Sequence, residues 1–164
     1  DDKDAFAFKT PSERLYNDVQ NSNWLAIGDA GAPVVYSFID PQCPHCHAMI
    51  DDLRKGDYFK KGKIQLRMIP VGFRDETIAQ AAFLLATPDP AARWFKYLDG
   101  DETALPAKKE INQQGVQRNL AVMQSWELSV TPLLVYRAKD NTIKIVRGRP
   151  KDLQSVINDI GERG

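Results

Sequence analysis

A run of β-branched and aromatic residues, Val34-Val35-Tyr36-Ser37-Phe38-Ile39, leads directly into Asp40-Pro41-Gln42-Cys43-Pro44-His45-Cys46-His47. The run has the length and character of a strand. Pro44 is placed where a helix begins, since its fixed φ suits the first turn and its missing N–H is not needed there. Beyond it, Cys46, Met49, Ile50 and Leu53 recur at helical spacing, which predicts one apolar face on a helix from about Pro44 to Lys55. A strand that hands the chain to a helix N-terminus is the start of an α/β unit. It also separates the two thiols: Cys43 lies at the opening turn near solvent, and Cys46 on the buried face.

The remaining elements extend that frame. Thr10-Pro11-Ser12-Glu13 reads as a helix start, with Thr as N-cap, Pro at the first position and Glu completing a capping box. Leu15, Tyr16 and Val19 give this helix its apolar stripe, and the Asn21 to Gly31 region ends it. Phe6 and Phe8 alternate as a short edge strand would. From Lys63 to Val71, Ile64, Leu66 and Met68 alternate with Gln65 and Arg67, the pattern of a half-buried strand.

Residues 75–127 read as helices. Asp75 caps one bearing Ile78, Ala82 and Leu85, and Asp89-Pro90 opens another with Trp94, Tyr97 and Leu98. After a Gly/Asp/Pro-rich link at 99–106, Val116, Leu120 and Met123 share one face of a third. Two strands follow, Pro132–Tyr136 and Ile143–Val146, with Asp140-Asn141 as the hairpin turn. A last helix opens at Pro150 and buries Leu153, Val156, Ile157 and Ile160. The order β-α-β, helices, β-β-α resembles an α/β thioredoxin-like fold with an inserted helical subdomain at about 75–127. The expected division is a tail and linker-like helix at 1–22, then a catalytic domain at 23–164.

Two thiols three residues apart can close a disulfide with each other or pass one to a partner. Free N–H groups and the macrodipole at the helix start favour a thiolate at Cys43, and His45 can add a hydrogen bond or a positive charge. Stabilising the thiolate stabilises the reduced form, which makes the pair a better oxidant and Cys43 a better leaving group. The expected roles are Cys43 as nucleophile, Cys46 as resolving thiol, His45 as tuner and Pro44 as helix opener. Zinc is an alternative, but the only nearby ligands to complete a tetrahedral set are His45 and His47, too close in sequence to converge with both cysteines. Cys43-Pro44-His45-Cys46-His47 also fits the attachment signature of c-type haem, with His47 as one axial ligand and Met49, Met68 or Met123 as the other. Against haem stand the preceding strand, the internal proline and the α/β frame. The three methionines read better as core filler.

A second feature is Val130-Thr131-Pro132, just before Leu133-Leu134-Val135-Tyr136. Proline at the first residue of a strand is tolerated on general grounds. A cis Thr131–Pro132 bond would instead lay the backbone of Val130 and Thr131 against the cysteines, where main-chain groups can pair with an extended substrate. Charge adds an exclusion, since 22 basic and 22 acidic residues cancel, leaving no global field for nucleic acid or an anionic membrane. No apolar stretch nears the roughly 20 residues that span a bilayer. Asp1-Asp2-Lys3-Asp4 lacks signal-peptide character, which fits a cytosolic protein or a mature or trimmed form.

Asp-Pro-x-Cys-Pro-x-Cys at 40–46, Lys63-Ile64-Gln65-Leu66-Arg67, Asp89-Pro90-Ala91 followed by Trp94, and Val130-Thr131-Pro132 together resemble the catalytic domain of the DsbC/DsbG family of bacterial periplasmic disulfide isomerases. The likeness runs from about residue 13 to 160 and is strongest to the DsbG branch. It implies a periplasmic address and, as substrates, unfolded or misoxidised proteins and protein thiols. It also implies a membrane redox partner that resets the site, and no cofactor beyond a redox-active Cys43–Cys46 disulfide. Cys43, Cys46, Thr131 and Pro132 inherit the catalytic and substrate-contacting roles by position.

Three departures qualify that transfer. Pro44-His45 is the dipeptide of DsbA-type oxidases where the DsbG branch has Pro-Tyr; the resemblance favours a DsbG-like disulfide isomerase or reductase, with DsbA-like dithiol oxidation as the alternative. The family's N-terminal dimerisation domain has no counterpart here; the helix at 11–22 resembles its linker, and the chain as given is expected to be a monomer. Ser37 takes the place of thioredoxin's buried carboxylate six residues before the nucleophile, leaving Asp40 as a weak stand-in for a proton relay. A reading of another class is a peptide-binding chaperone module whose cysteines form a static bridge. Arg147 and Arg149 flank Gly148 in a turn expected near the site, with Gly148 permitting close backbone approach.

Overall fold

Every residue of Val34–Ile39 (β2) is buried, because this strand has neighbours on both sides and helices over both faces. The computed structural model describes residues 9–164; the edge strand expected at Phe6 and Phe8 lies outside them. The strands are Leu25–Ile27 (β1), β2, Gln65–Pro70 (β3), Leu133–Arg137 (β4) and Ile143–Arg147 (β5), in the sheet order β1-β3-β2-β4-β5. The helices are Pro11–Gln20 (α1), Pro44–Lys55 (α2), Asp75–Ala86 (α3), Pro90–Leu98 (α4), Gln114–Ser125 (α5) and Leu153–Asp159 (α6). β2 and β3 run parallel, and all other pairings are antiparallel.

The period-2 alternation of β2 sorts the core into two layers. Val34, Tyr36 and Phe38 pack with Leu15, Tyr16 and Val19 of α1 and Met123 of α5. Val35 and Ile39 pack with Cys46, Met49, Ile50 and Leu53 of α2, and with Trp94 of α4 and Ile157 of α6. The helix read as linker-like therefore buries its stripe against the sheet. Thr10 Oγ1 accepts the Glu13 N–H at 3.3 Å. Glu13 does not complete a capping box. Its carboxylate takes both arms of Arg137 on β4 at 2.7 and 2.9 Å.

Several expectations need correction. β1 was not foreseen; it pairs antiparallel with β3 through Leu25–Met68 and Ile27–Leu66. β3 is not half buried: Gln65 is enclosed, and Arg67 lies under Trp24, its guanidinium 4.4 Å from the ring centre. Arg74, not Asp75, occupies the N-cap position of α3. The last helix opens at Leu153, where the Asp152 side chain accepts the Ser155 N–H at 3.1 Å.

The topology gathers three connections at one end of the sheet. β2 and β3 both finish there, and β4, opposed to β2 in the register Phe38–Leu133, begins there. The chain after Ile39, the chain after Pro70 and the chain before Leu133 thus lie side by side.

Candidate active site

Cys43 is the N-cap of α2, in extended conformation, and its position follows from the turn before it. Asp40, almost buried, accepts the Gln42 N–H at 2.9 Å through Oδ1 and the Phe73 N–H at 3.2 Å through Oδ2. The Cys43 N–H closes the turn on the Asp40 carbonyl at 3.1 Å. Gln42 Nε2 donates to Gln80 Oε1 of α3 at 3.0 Å, and Arg74 donates to Gln42 Oε1. Gln80 in turn donates to the Leu105 carbonyl at 3.1 Å. The inserted helices thereby brace the loop that carries the first cysteine.

The sulfur of Cys43 has two close partners. It accepts the Cys46 N–H at 3.3 Å and donates to the Thr131 carbonyl at 3.4 Å. The first contact is the helix N-terminus acting on the thiol, as the motif predicts. The second comes from the loop before β4, in which the Thr131–Pro132 bond is cis. Cys46 is fully buried and both thiols are free. Burial first, and then the neighbouring Cys43 sulfur, push the Cys46 thiol well up, so it stays protonated at neutral pH.

Cys43, Cys46, Thr131 and Pro132 are brought together, with Val130 exposed beside them. Pro44 and His45 face solvent on the first turn, and His45 makes no side-chain hydrogen bond among the described residues. His47 instead turns back and donates a ring N–H to the Pro41 carbonyl at 2.6 Å, with Trp94 and Tyr97 edge-on to its ring at 5.8 Å. His45 and His47 diverge, and Met49 and Met68 lie in one core layer while Met123 lies in the other.

Ser37 is buried with its hydroxyl donating to the Phe38 carbonyl at 3.3 Å. The Asp40 carboxylate ties two loops together and is engaged on both oxygens by main-chain N–H groups. The turn at 147–149 does reach the site, since the Gly148 N–H donates to the Pro132 carbonyl at 2.8 Å. Arg149, however, is drawn away to Asp52 at 2.7 and 2.8 Å. Gly148 is required for its φ of +85°, not for close approach, because a Cβ there would meet nothing within 4 Å. The close-approach glycine is Gly72, where a Cβ would fall 2.4 Å from the Ile78 nitrogen. Sequence reasoning passed over Gly72 and Phe73 because no periodicity marks a short loop residue.

A buried cysteine three residues after a half-exposed one that caps its helix, facing a cis-proline loop on a β-α-β, β-β-α frame, defines a protein of the thioredoxin fold. The chain belongs to the family of the thioredoxin-like domain, whose model matches residues 25–158. It is 36% identical over 152 residues to the thiol:disulfide interchange protein DsbG of Escherichia coli (strain K12), covering 89% of this chain. It is 30% identical over 149 residues to the DsbG of Pseudomonas aeruginosa, covering 85% of this chain. It spans 60% of the first relative's length and 56% of the second's. Among solved structures, a disulfide interchange protein from Neisseria gonorrhoeae shares the fold with a TM-score of 0.67 at 18% identity, over 85% of this chain and 96% of its own.

Proposed function

We propose that the protein catalyses thiol–disulfide exchange on protein substrates, with Cys43 as nucleophile and Cys46 as resolving thiol. The observation that carries this reading is the asymmetry of the pair: Cys43 Sγ is partly exposed and held between the Cys46 N–H and the Thr131 carbonyl, while Cys46 is buried. The likeness to DsbG supports it. In the reductive direction the Cys43 thiolate attacks one sulfur of a substrate disulfide. A Cys43–substrate bond forms, the substrate S–S bond breaks, and the departing thiolate takes a proton. Cys46 then attacks the Cys43 sulfur; the Cys43–Cys46 bond forms, the Cys43–substrate bond breaks, and the proton given up by Cys46 passes through solvent to the departing substrate thiolate. The substrate gains two electrons and the pair is oxidised to a disulfide. The reverse sequence oxidises a dithiol, and isomerisation combines both.

Val130, Thr131 and Pro132 form the substrate-contacting edge in this reading, and Pro44 and His45 the exposed rim of the nucleophile. The periplasmic address and the membrane partner that resets the pair belong to the same proposal. Among the described residues, no helix is long and apolar enough to cross a membrane. A Cys46→Ala variant is the test. It is expected to accumulate mixed disulfides through Cys43 with a client protein that carries scrambled disulfides, seen as adducts on non-reducing gels that Cys43→Ala lacks. Absence of adducts would favour the static-bridge module.

A further inference from the structure

We infer that Phe73 and Val130 form two apolar contacts on either side of Cys43 that select polypeptide substrates by the apolar residues flanking their cysteine. The inference rests on the exchange reading above and names the substrate class within it. Phe73 and Val130 are the large hydrophobic side chains exposed among the described residues, at 51% and 41%. Single exposed apolar residues need no explanation when scattered. These two are not scattered, because each adjoins the nucleophile's turn from an opposite side.

Phe73 follows β3, Cys43 follows β2, and Val130 precedes β4; β2 lies between the other two strands. The Phe73 N–H is bonded to Asp40 at 3.2 Å, and Thr131, next to Val130, meets Cys43 Sγ at 3.4 Å. With neighbouring strands about 4.8 Å apart, β3 and β4 lie about 10 Å from each other, and β2, which leads into the turn that carries Cys43, runs between them. An extended chain rises about 3.3 Å per residue, so that span matches about three residues centred on a substrate cysteine.

The Phe73 loop is also built to hold its place. Gly72 lies so close to the first turn of α3 that a Cβ would reach 2.4 Å from the Ile78 nitrogen, and the Asp40 carboxylate fixes the next N–H. An aromatic side chain carried on a fixed backbone has only two torsions left to order on contact. The occupant is therefore an extended segment with apolar side chains one or two positions from its cysteine, as exposed by an unfolded protein. A small disulfide reaches the sulfur without touching both contacts.

The experiment uses two symmetric peptide disulfides of equal net charge, one with Leu and Phe around its cysteine and one with Ser and Gly. The reduced protein, in excess, converts each to two peptide thiols and becomes oxidised, and the second-order rate constant of this single turnover follows from quenched alkylation and mass analysis. The wild type is expected to favour the apolar peptide by about tenfold, and Phe73→Ser to lose most of that ratio while Phe73→Leu keeps it. Val130→Ser is expected to lower the ratio as well. Equal turnover of both peptides by the wild type, or an unchanged ratio in Phe73→Ser, would overturn the inference and leave the exchange reading intact. Failure of the wild type to exchange either peptide would overturn the exchange reading and this inference with it.

Discussion

Cys43 and Cys46 lie within one helical turn, yet the fold gives them opposite surroundings. One caps the helix and touches the Thr131 carbonyl; the other has no exposed surface and a thiol whose ionisation burial suppresses. Only the thiolate is the reactive species, so iodoacetamide at neutral pH should modify Cys43 at least about tenfold faster than Cys46, as measured by mass spectrometry of the reduced protein. Comparable rates would remove the basis for assigning separate roles. The pair was legible in the sequence because helical spacing alone puts Cys46 with Met49, Ile50 and Leu53. Phe73 was not, since exposure after a strand depends on which loops the sheet places beside it. His47 was legible only as a possible ligand, and its bond to Pro41 emerged once α4 supplied Trp94 and Tyr97 as walls.

At the scale of elements, α1 is an integral part of one core layer and is latched to β4 by the Glu13–Arg137 pair. Arg137 holds the Glu13 carboxyl below its ordinary range. A depressed folded-state pKa stabilises the fold above the unfolded value of about 4.3 and loses that contribution as pH falls through the folded value. The pair is bidentate and partly shielded, so Glu13→Gln should cost about 0.5–1 kcal/mol at pH 7 and markedly less near pH 3. Urea midpoints of both proteins at the two pH values check this; a pH-independent difference would mean that the charge is not what matters.

The same scale shows where pattern reading stops. Thr10 capping and the Pro44 start were visible because caps are local chemistry. β1 was invisible because Leu25-Ala26-Ile27 is too short to display a period and exists only through pairing with β3. The burial of Gln65 and the cover that Trp24 gives the half-buried Arg67 likewise come from chain outside the strand's own pattern.

For the molecule as a whole, the order of elements was enough to indicate the thioredoxin-like frame, since β-α-β and β-β-α units separated by helices admit few arrangements. What the order could not supply is the convergence of three loops at one end of the sheet, which sets Cys43 between the Phe73 and Val130 sides. The insertion does more than fill a gap: Arg74, Gln80 and Leu105 brace the turn through Gln42. The direction of exchange is set by the relative stability of the dithiol and disulfide forms, and the exposed His45 leaves both directions open. Equilibrating the protein with glutathione buffers of graded ratio and counting alkylated thiols gives that balance as a reduction potential. A value between about −120 and −270 mV, the range of exchange proteins, is expected, whereas a value more negative than about −300 mV would mark an inert bridge and contradict an exchange role for the pair.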